Sequence, residues 1–422
     1  MHTIDEPLLE KVRERFALVD ECPQQGKRIF FENAGGAFTL KSVLQTSTRY
    51  AAIPDNQGRD NPGSLELIDV IDKAKDDMRI FMNARGGQFF VGESGTELLF
   101  RLVMNACLAA ENGGTVLGST LEHPATRSAC DRWSRIGGHD YVLVEHDDAT
   151  GTVAPESYAL QVTDNTIVAT ILHTSPVTGI GVDVAQCAKA IRAVSPACII
   201  IVDGIQHAAH GDIDLQSYAV DGYVISPYKV FSRHGFGVAW VSDALSAVPH
   251  DNLLGGPEDN WEMGTRDTGA YATLSDLVSY FDWLGGQVLV GQTGDSGDRQ
   301  GRLCAAADAV KRHEKALTET LLHGNGNLPG LASQDNVIII GGAENPAREG
   351  LVSFVVANVP SADVVRKLND EGIRTHMRKA DHYSGNILNP LGLDSCIRVS
   401  MCHYNTVQEV EKLLLVMNEM KS

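Results

Sequence analysis

Five side chains with complementary chemistry cluster in one stretch of the chain: Asp203 and Gln206, then Ser226, Tyr228 and Lys229. Each group follows a short apolar, β-branched run, Cys198–Val202 and Tyr223–Ile225, which is how buried strands of a parallel sheet read. Open α/β sheets bind ligands beyond the carboxyl ends of their strands, where these residues fall. A lysine amine whose pKa is lowered by burial beside other cations condenses with an aldehyde. A buried carboxylate keeps a pyridine nitrogen protonated through a charge-assisted hydrogen bond. An amide such as Gln206 suits a phenolic oxygen on the same ring. Taken singly, Asp203 reads as a strand-end acid and Lys229 as a surface amine. Together, each closing a buried strand and 26 residues apart (229 − 203), they point to pyridoxal 5'-phosphate.

Further candidates lie upstream. Gly92–Leu99 reads G-E-S-G-T-E-L-L, a strand, a small-residue turn and a helix start. Exposed amides and hydroxyls at such a helix N-terminus bind anions, which makes Ser94, Gly95 and Thr96 candidates for the cofactor phosphate. The chain has no G-x-x-x-x-G-K-[ST] loop and no convincing G-x-G-x-x-G, so nucleotide readings lose ground. In Glu122-His123-Pro124 the imidazole is a candidate to lie over the pyridine ring, although alone it reads first as a core histidine. His207-x-x-His210-x-Asp212 invites an iron reading, discounted because that pattern belongs mostly with all-β scaffolds; no metal is expected.

The elements that position these residues read as follows. Apolar runs at Gln88–Val91, Thr115–Leu117, Tyr141–Val144, Thr166–Leu172, Cys198–Val202, Tyr223–Ile225 and Gly237–Val241 alternate with helical patterns. Such alternation predicts a mainly parallel sheet with right-handed crossovers. Long helices are expected at Tyr271–Leu284 and Arg302–His323. Strands at Val337–Ile340, Val352–Ala357, Ile373–Thr375 and Ile397–Met401, with helices at Ala362–Glu371 and Val407–Met420, predict a second, smaller α+β domain. The expected division is 20–290 for the large α/β domain, with 1–19 and 291–422 forming the small one. A net charge of −19 argues against nucleic acid or anionic membranes as partners. No segment reaches the roughly 18 apolar residues of a membrane span. The first residues lack the basic and apolar parts of a secretory signal, and the eight cysteines form no C-x-x-C pair. A cytoplasmic chain with reduced thiols is expected.

Taken in order, F-F-E-N-A-G-G, S-G-T-E, E-H-P-A, V-D-G-I-Q-H-A-A-H, S-P-Y-K-V-F-S-R-H-G, E-M-G-T and R-V-S-M-C-H-Y-N-T resemble the class V aminotransferase-fold enzymes, most of all the cysteine desulfurase and selenocysteine lyase-like branch. The resemblance spans roughly residues 29 to 420 and implies a pyridoxal-phosphate-dependent transferase fold of type I. It implies Lys229 as the Schiff-base lysine, Asp203 as partner of the ring nitrogen, His123 stacked on the ring and Gln206 at the phenolic oxygen. Gly95, Thr96, Ser226 and Tyr228 would hold the phosphate, Tyr228 standing where many relatives carry histidine. Thr265 would reach the phosphate of a neighbouring subunit, which implies a homodimer with shared active sites. Arg398 would grip a substrate α-carboxylate, and Asn33 would lie in the substrate-side loop.

Three departures from that pattern bear on function. Where the desulfurases carry a nucleophilic cysteine, the loop reads R-K-A-D-H-Y-S-G, with His382 or Tyr383 near the expected place and no cysteine between Cys304 and Cys396. Pro176 stands near an asparagine of many relatives, so Gln206 or Ser175 must serve the phenolic oxygen. Arg233, where relatives often have a small residue, either binds a second substrate anion or lines the surface. The roles of Arg378 and His382 stay open. The expectation is an enzyme acting on an α-amino acid through an external aldimine, with Lys229 as acid and base at Cα. β-Elimination, or a related C–S or C–C lyase reaction without a persulfide thiol, comes first; an aminotransferase or epimerase comes second. A non-catalytic scaffold of the same fold is the alternative of another class.

Overall fold

The computed structural model describes residues 4–294 and 296–420. Seven strands build the central sheet: β1 (Gln88–Gly92), β2 (Thr115–Ser119), β3 (Asp140–Val144), β4 (Thr166–Leu172), β5 (Ile199–Asp203), β6 (Gly222–Ile225) and β7 (Gly237–Val241). Their order is β1-β7-β6-β5-β4-β2-β3. Pairs from β3 to β6 are parallel, and only β7 runs against its neighbours. This is the expected mainly parallel sheet, its strands within a residue or two of the expected bounds. They form because Ile200, Ile201, Val202, Val224 and Ile225 are wholly buried on both faces, which a helix-covered parallel strand requires. The crossover helices start on side-chain caps: Ser94 accepts from the Glu97 amide before α1 (Gly95–Ala109), and His123 Nδ1 accepts from Ala125 before α2 (Pro124–Gly137).

Two long antiparallel helices, α3 (Thr268–Thr293) and α4 (Arg299–His323), link this sheet to the smaller unit. The sequence reading ended the first at Leu284, before a Gly-Gly pair. The helix runs on because a Cβ at Gly285 would sit 1.7 Å from the Arg302 carbonyl oxygen, so glycine is what lets the two helices cross closely. Beyond them a four-stranded antiparallel sheet runs β8 (Val337–Ile339), β9 (Leu351–Val356), β11 (Ser395–Ser400), β10 (His376–Lys379). Strand β10 has no apolar alternation and was not expected. The chain leaves a short parallel pairing of Ile373–Arg374 with Ile29–Phe30 and re-enters pairing on this sheet.

The N-terminal segment bridges the two units. The first helix is Glu6–Arg13. Leu9, Val12 and Phe16 pack in the largest apolar cluster, where the Phe16 ring meets Phe231 edge-on at 5.3 Å. Phe31 instead belongs to the smaller unit's core, with Phe354, Leu368 and Val399. Phe16 also meets Tyr404 at 4.7 Å, so the 1–19 segment expected in the smaller domain touches both units, and Phe31, expected in the larger, packs in the smaller unit's core. Among the described residues no helix is long and apolar enough to cross a membrane.

Candidate active site

Strand β5 ends at Asp203, and the next residue must be glycine, since a Cβ at Gly204 would lie 2.1 Å from the Tyr223 ring. Strand β6 ends at Ile225, and one 3-10 turn, Pro227–Lys229, carries Tyr228 and Lys229 out of the sheet. Two residues on, Phe231 holds φ at +67°, a left-handed conformation unusual for an aromatic residue, locked by complete burial. Asp203 and Lys229 line one cavity at the carboxyl ends of the strands, together with Thr96, His123, Gln206 and Ser226. It shares His123, Pro176, Tyr228 and Lys229 with an outer cavity of about 560 Å³.

The electrostatics follow from burial. Burial, with Arg398 and Arg378 nearby and against the pull of Asp203, lowers the Lys229 amine to about 8. Lys229 Nζ donates to Gln206 Oε1 at 3.2 Å. Asp203 accepts from the Ile205 amide at 3.1 Å and the Thr126 hydroxyl at 3.4 Å, while burial raises its pKa. His123 is pushed down to about 4 by burial and the cations Lys229 and Arg378, leaving a neutral aromatic face. At the opposite end a Cβ on Gly95 would come 2.5 Å from Ser226 Oγ, so glycine opens a cradle between the start of α1 and a hydroxyl that caps nothing. An acid, a neutral flat ring, a reactive amine and an anion cradle around one cavity fit pyridoxal phosphate: Asp203 would meet the ring nitrogen, Lys229 the aldehyde carbon, and the α1 start with Ser226 the phosphate. The bound group would supply an electron sink for substrate carbanions.

The outer cavity sorts the remaining expectations. Arg398, 3% exposed, donates from Nη1 to the Pro176 carbonyl at 2.9 Å, and its Nε has no partner. Arg378 lines the same space, held by Ser384 Oγ at 2.7 Å and the Tyr383 carbonyl at 3.3 Å. Tyr383 lines the cavity with its ring 5.9 Å from that of His123, whereas His382 is exposed and lines neither cavity. Arg233 also points elsewhere, ion-paired to Asp267 and donating to the His234 carbonyl at 3.2 Å. The Asn33 amide is taken up by the Ser400 carbonyl at 2.8 Å and the Tyr404 hydroxyl, leaving Ala34, Gly35 and Gly36 to line the space. Ser175 lines neither cavity, its hydroxyl accepting from the Val177 and Thr178 amides, so of the two candidates only Gln206 lies at the inner cavity. Thr265 lies exposed on the loop before α3 and lines neither cavity of its own chain. Sequence reasoning missed His234, stacked on Tyr228 at 4.3 Å, and His376 and Glu32, paired at 3.3 Å; only the fold brings them to one wall. His207 and His210 bind Glu349 and Glu314, and Asp212 meets His207 through its carbonyl alone.

Next to His123 in the chain, Glu122 is fully buried, and the Thr170 hydroxyl lies 2.7 and 2.9 Å from its two oxygens. Burial and the charge of Asp203 raise its carboxyl to about 8. The folded chain therefore keeps this proton in a range where the unfolded chain releases it. Stability from this group is complete below about pH 4.5 and declines as pH rises towards 8. Glu122→Gln is expected to melt like wild type at pH 5 and at least about 2 °C higher at pH 8.5, measured by calorimetry.

A doubly wound sheet with Lys229 and Asp203 across one strand-end cavity, flanked by a small α+β unit, defines a pyridoxal-phosphate enzyme of fold type I. Residues 29–272 and 303–413 match the family described as Aminotransferase class-V. The chain belongs to that family, and pyridoxal phosphate is its cofactor. Aminotransferase-like protein FGM3 of Gibberella zeae is 24% identical across 97% of both chains. Cysteine desulfurase-like protein ustD of Aspergillus flavus is 26% identical, over 97% of this chain and 90% of that one. The apo cysteine desulfurase of Thermococcus onnurineus NA1 superposes with a TM-score of 0.80 at 19% identity, covering 100% of this chain and 99% of that one. The Escherichia coli cysteine desulfurase CsdA gives 0.77 at 18% identity, covering 97% and 98%. These last two likenesses are of fold.

Proposed function

We propose that the protein is a pyridoxal-phosphate lyase that binds an α-amino acid by its carboxylate at Arg398 and cleaves a β-substituent by elimination, as a C–S or C–C lyase. Lys229 takes the Cα proton as a neutral amine and returns protons within the closed site, a role suited to a pKa of about 8. Asp203 holds the charge on the ring nitrogen, and His123 keeps the ring face dry and neutral. The observation that carries the reading is Tyr383. A phenol, rather than a thiol, faces His123 across the mouth, and none of the residues lining either cavity is a cysteine. Cys396 is fully buried, with its thiol pushed up to about 11 by burial, so it is a poor nucleophile. The leaving group therefore departs to solvent without transfer to an enzyme sulfur. Thr265, exposed and unused in its own chain, suits a homodimer in which it completes the partner's phosphate site.

The test is product analysis on the holoenzyme with cysteine, cystine, aspartate and alanine. Ammonia with pyruvate, or with sulfide, is the expected outcome for at least one of them. Stoichiometric conversion of the cofactor to its amine form without ammonia would sink the lyase reading and favour aminotransfer.

A further inference from the structure

Behind Lys229 a line of buried polar groups leads away from both cavities. Lys229 Nζ donates to Gln206 Oε1 at 3.2 Å. Gln206 Nε2 lies 3.2 Å from His210 Nε2, and His210 Nδ1 lies 2.7 Å from Glu314 Oε2. Gln206, His210 and Glu314 are 4%, 5% and 2% exposed, so water does not shunt the line. Neither His210 nor Glu314 touches a cavity.

Donors and acceptors fit along this line in one direction when the lysine is charged. A charged Lys229 has only donors, so it demands the amide oxygen of Gln206. The amide nitrogen then donates to His210 Nε2, which must be bare, and Nδ1–H donates to Glu314. Reversing the line needs a proton on His210 Nε2, a turned Gln206 amide and a neutral Lys229 to accept from it. The two ends cannot both be donors. We propose that His210 and Glu314 are positioning residues: through the orientation of the Gln206 amide they couple their own protonation to that of the Lys229 nitrogen. The proposal rests on Lys229 being the cofactor lysine.

The groups around His210 agree with such coupling. From other elements Glu314, Glu349, Lys229 and His403 act on its charge, as does His207 on its own turn, and the Cys402 thiol lies within 4.8 Å. The carboxylates outweigh burial and raise His210, a charged Lys229 works against a second proton on it, and burial raises Glu314. Glu314 Oε1 is buried with no partner, which leaves its charge aimed at His210.

The experiment titrates the visible absorbance of the bound cofactor against pH in wild type, Glu314→Gln, His210→Gln and His313→Gln, the last a buried neighbour on α4 outside the line. Without the Glu314 charge the line loses its preferred direction, and the lysine nitrogen gives up its proton more easily. The midpoint is expected to fall by about one pH unit in Glu314→Gln, and the reconstitution rate of the apoprotein at fixed pH below the midpoint to rise several-fold. His313→Gln is expected to shift neither. An unmoved midpoint in a folded Glu314→Gln, or in His210→Gln should the first not fold, overturns the proposal. Nitrogen-15 histidine spectra of the wild-type apoprotein supply a variant-free check: a proton on His210 Nε2 while Lys229 is charged overturns it as well. Absence of any visible band would instead remove the cofactor reading itself.

Discussion

Lys229→Ala is expected to abolish turnover, by at least about 1000-fold in kcat, while leaving the far-ultraviolet dichroism unchanged. The size follows from two roles on one atom. On the proposed function the amine would be both the covalent anchor of the cofactor aldehyde and the group that moves the Cα proton. Its neighbours in the inner cavity are poor replacements: His123 is held neutral near 4, so it is a weak base, and Asp203 accepts from the Ile205 amide and the Thr126 hydroxyl. The pH dependence follows from the same environment. An amine lowered to about 8 loses its proton as pH rises through that value, so kcat is expected to increase up to about pH 8 and then level. The substitution also removes a desolvated cation that Arg398 and Arg378 repel, so the fold is expected to tolerate it. Stopped-flow assays with visible spectra check both points. Turnover retained in a Lys229→Ala protein with bound cofactor would remove the amine from the chemistry.

Much of the fold was legible because its signals are local. Strands β4 to β6 are continuous β-branched runs closed by polar residues, and a helix-covered parallel strand needs that pattern. The misreadings come from contacts remote in sequence. Gly285 and Gly286 look like a helix stop until the Arg302 backbone is seen against the first of them. Strand β10 reads H-M-R-K and carries no alternation, because its outward side chains face a polar cavity. Helix Glu6–Arg13 carries an apolar stripe that could cover either unit, and Phe16 after it packs on both, against Phe231 and Tyr280 on one side and Tyr404 on the other.

The site divides in the same way. Asp203, Gln206, Ser226 and Lys229 sit immediately after strands, so chain position alone brings them to one sheet edge. His382 and Tyr383 are adjacent in a loop, and no local pattern says which of them faces inward; the hydrogen bonds of Arg378 to Ser384 and to the Tyr383 carbonyl shape that turn. Asn33 has the composition of a substrate contact, yet its amide pins the glycine turn to β11. The Gln206–His210–Glu314 line was invisible for a different reason: 104 positions separate His210 from Glu314, and no spacing rule links an imidazole after one strand to a helix in another unit.

Arg398→Ala is expected to lower kcat/KM for the amino-acid substrate by about 100-fold or more, because hydrogen bonds to charged groups contribute about 1.5–3 kcal/mol each. Arg398→Lys is expected to recover little of this, since an ammonium cannot match the two-point geometry of a carboxylate. The guanidinium is set up for such a ligand. It sits mid-strand on β11, burial and Arg378 lower it to about 9, and no carboxylate pairs with it among the described residues. One nitrogen is held by the Pro176 carbonyl, and Gly35 leaves 3.7 Å of clearance to Nη2 where a Cβ would stand. A buried cation without a counter-charge costs stability until an anion arrives. Two measurements then move in opposite senses. Without ligand, Arg398→Ala is expected to melt within about 2 °C of wild type, since its loss relieves an uncompensated charge while leaving one carbonyl unpaired. With saturating substrate, wild type is expected to gain stability and the variant to gain almost none. A variant that melts far lower without ligand but binds substrate normally would make Arg398 a structural residue and leave the α-carboxylate to Arg378.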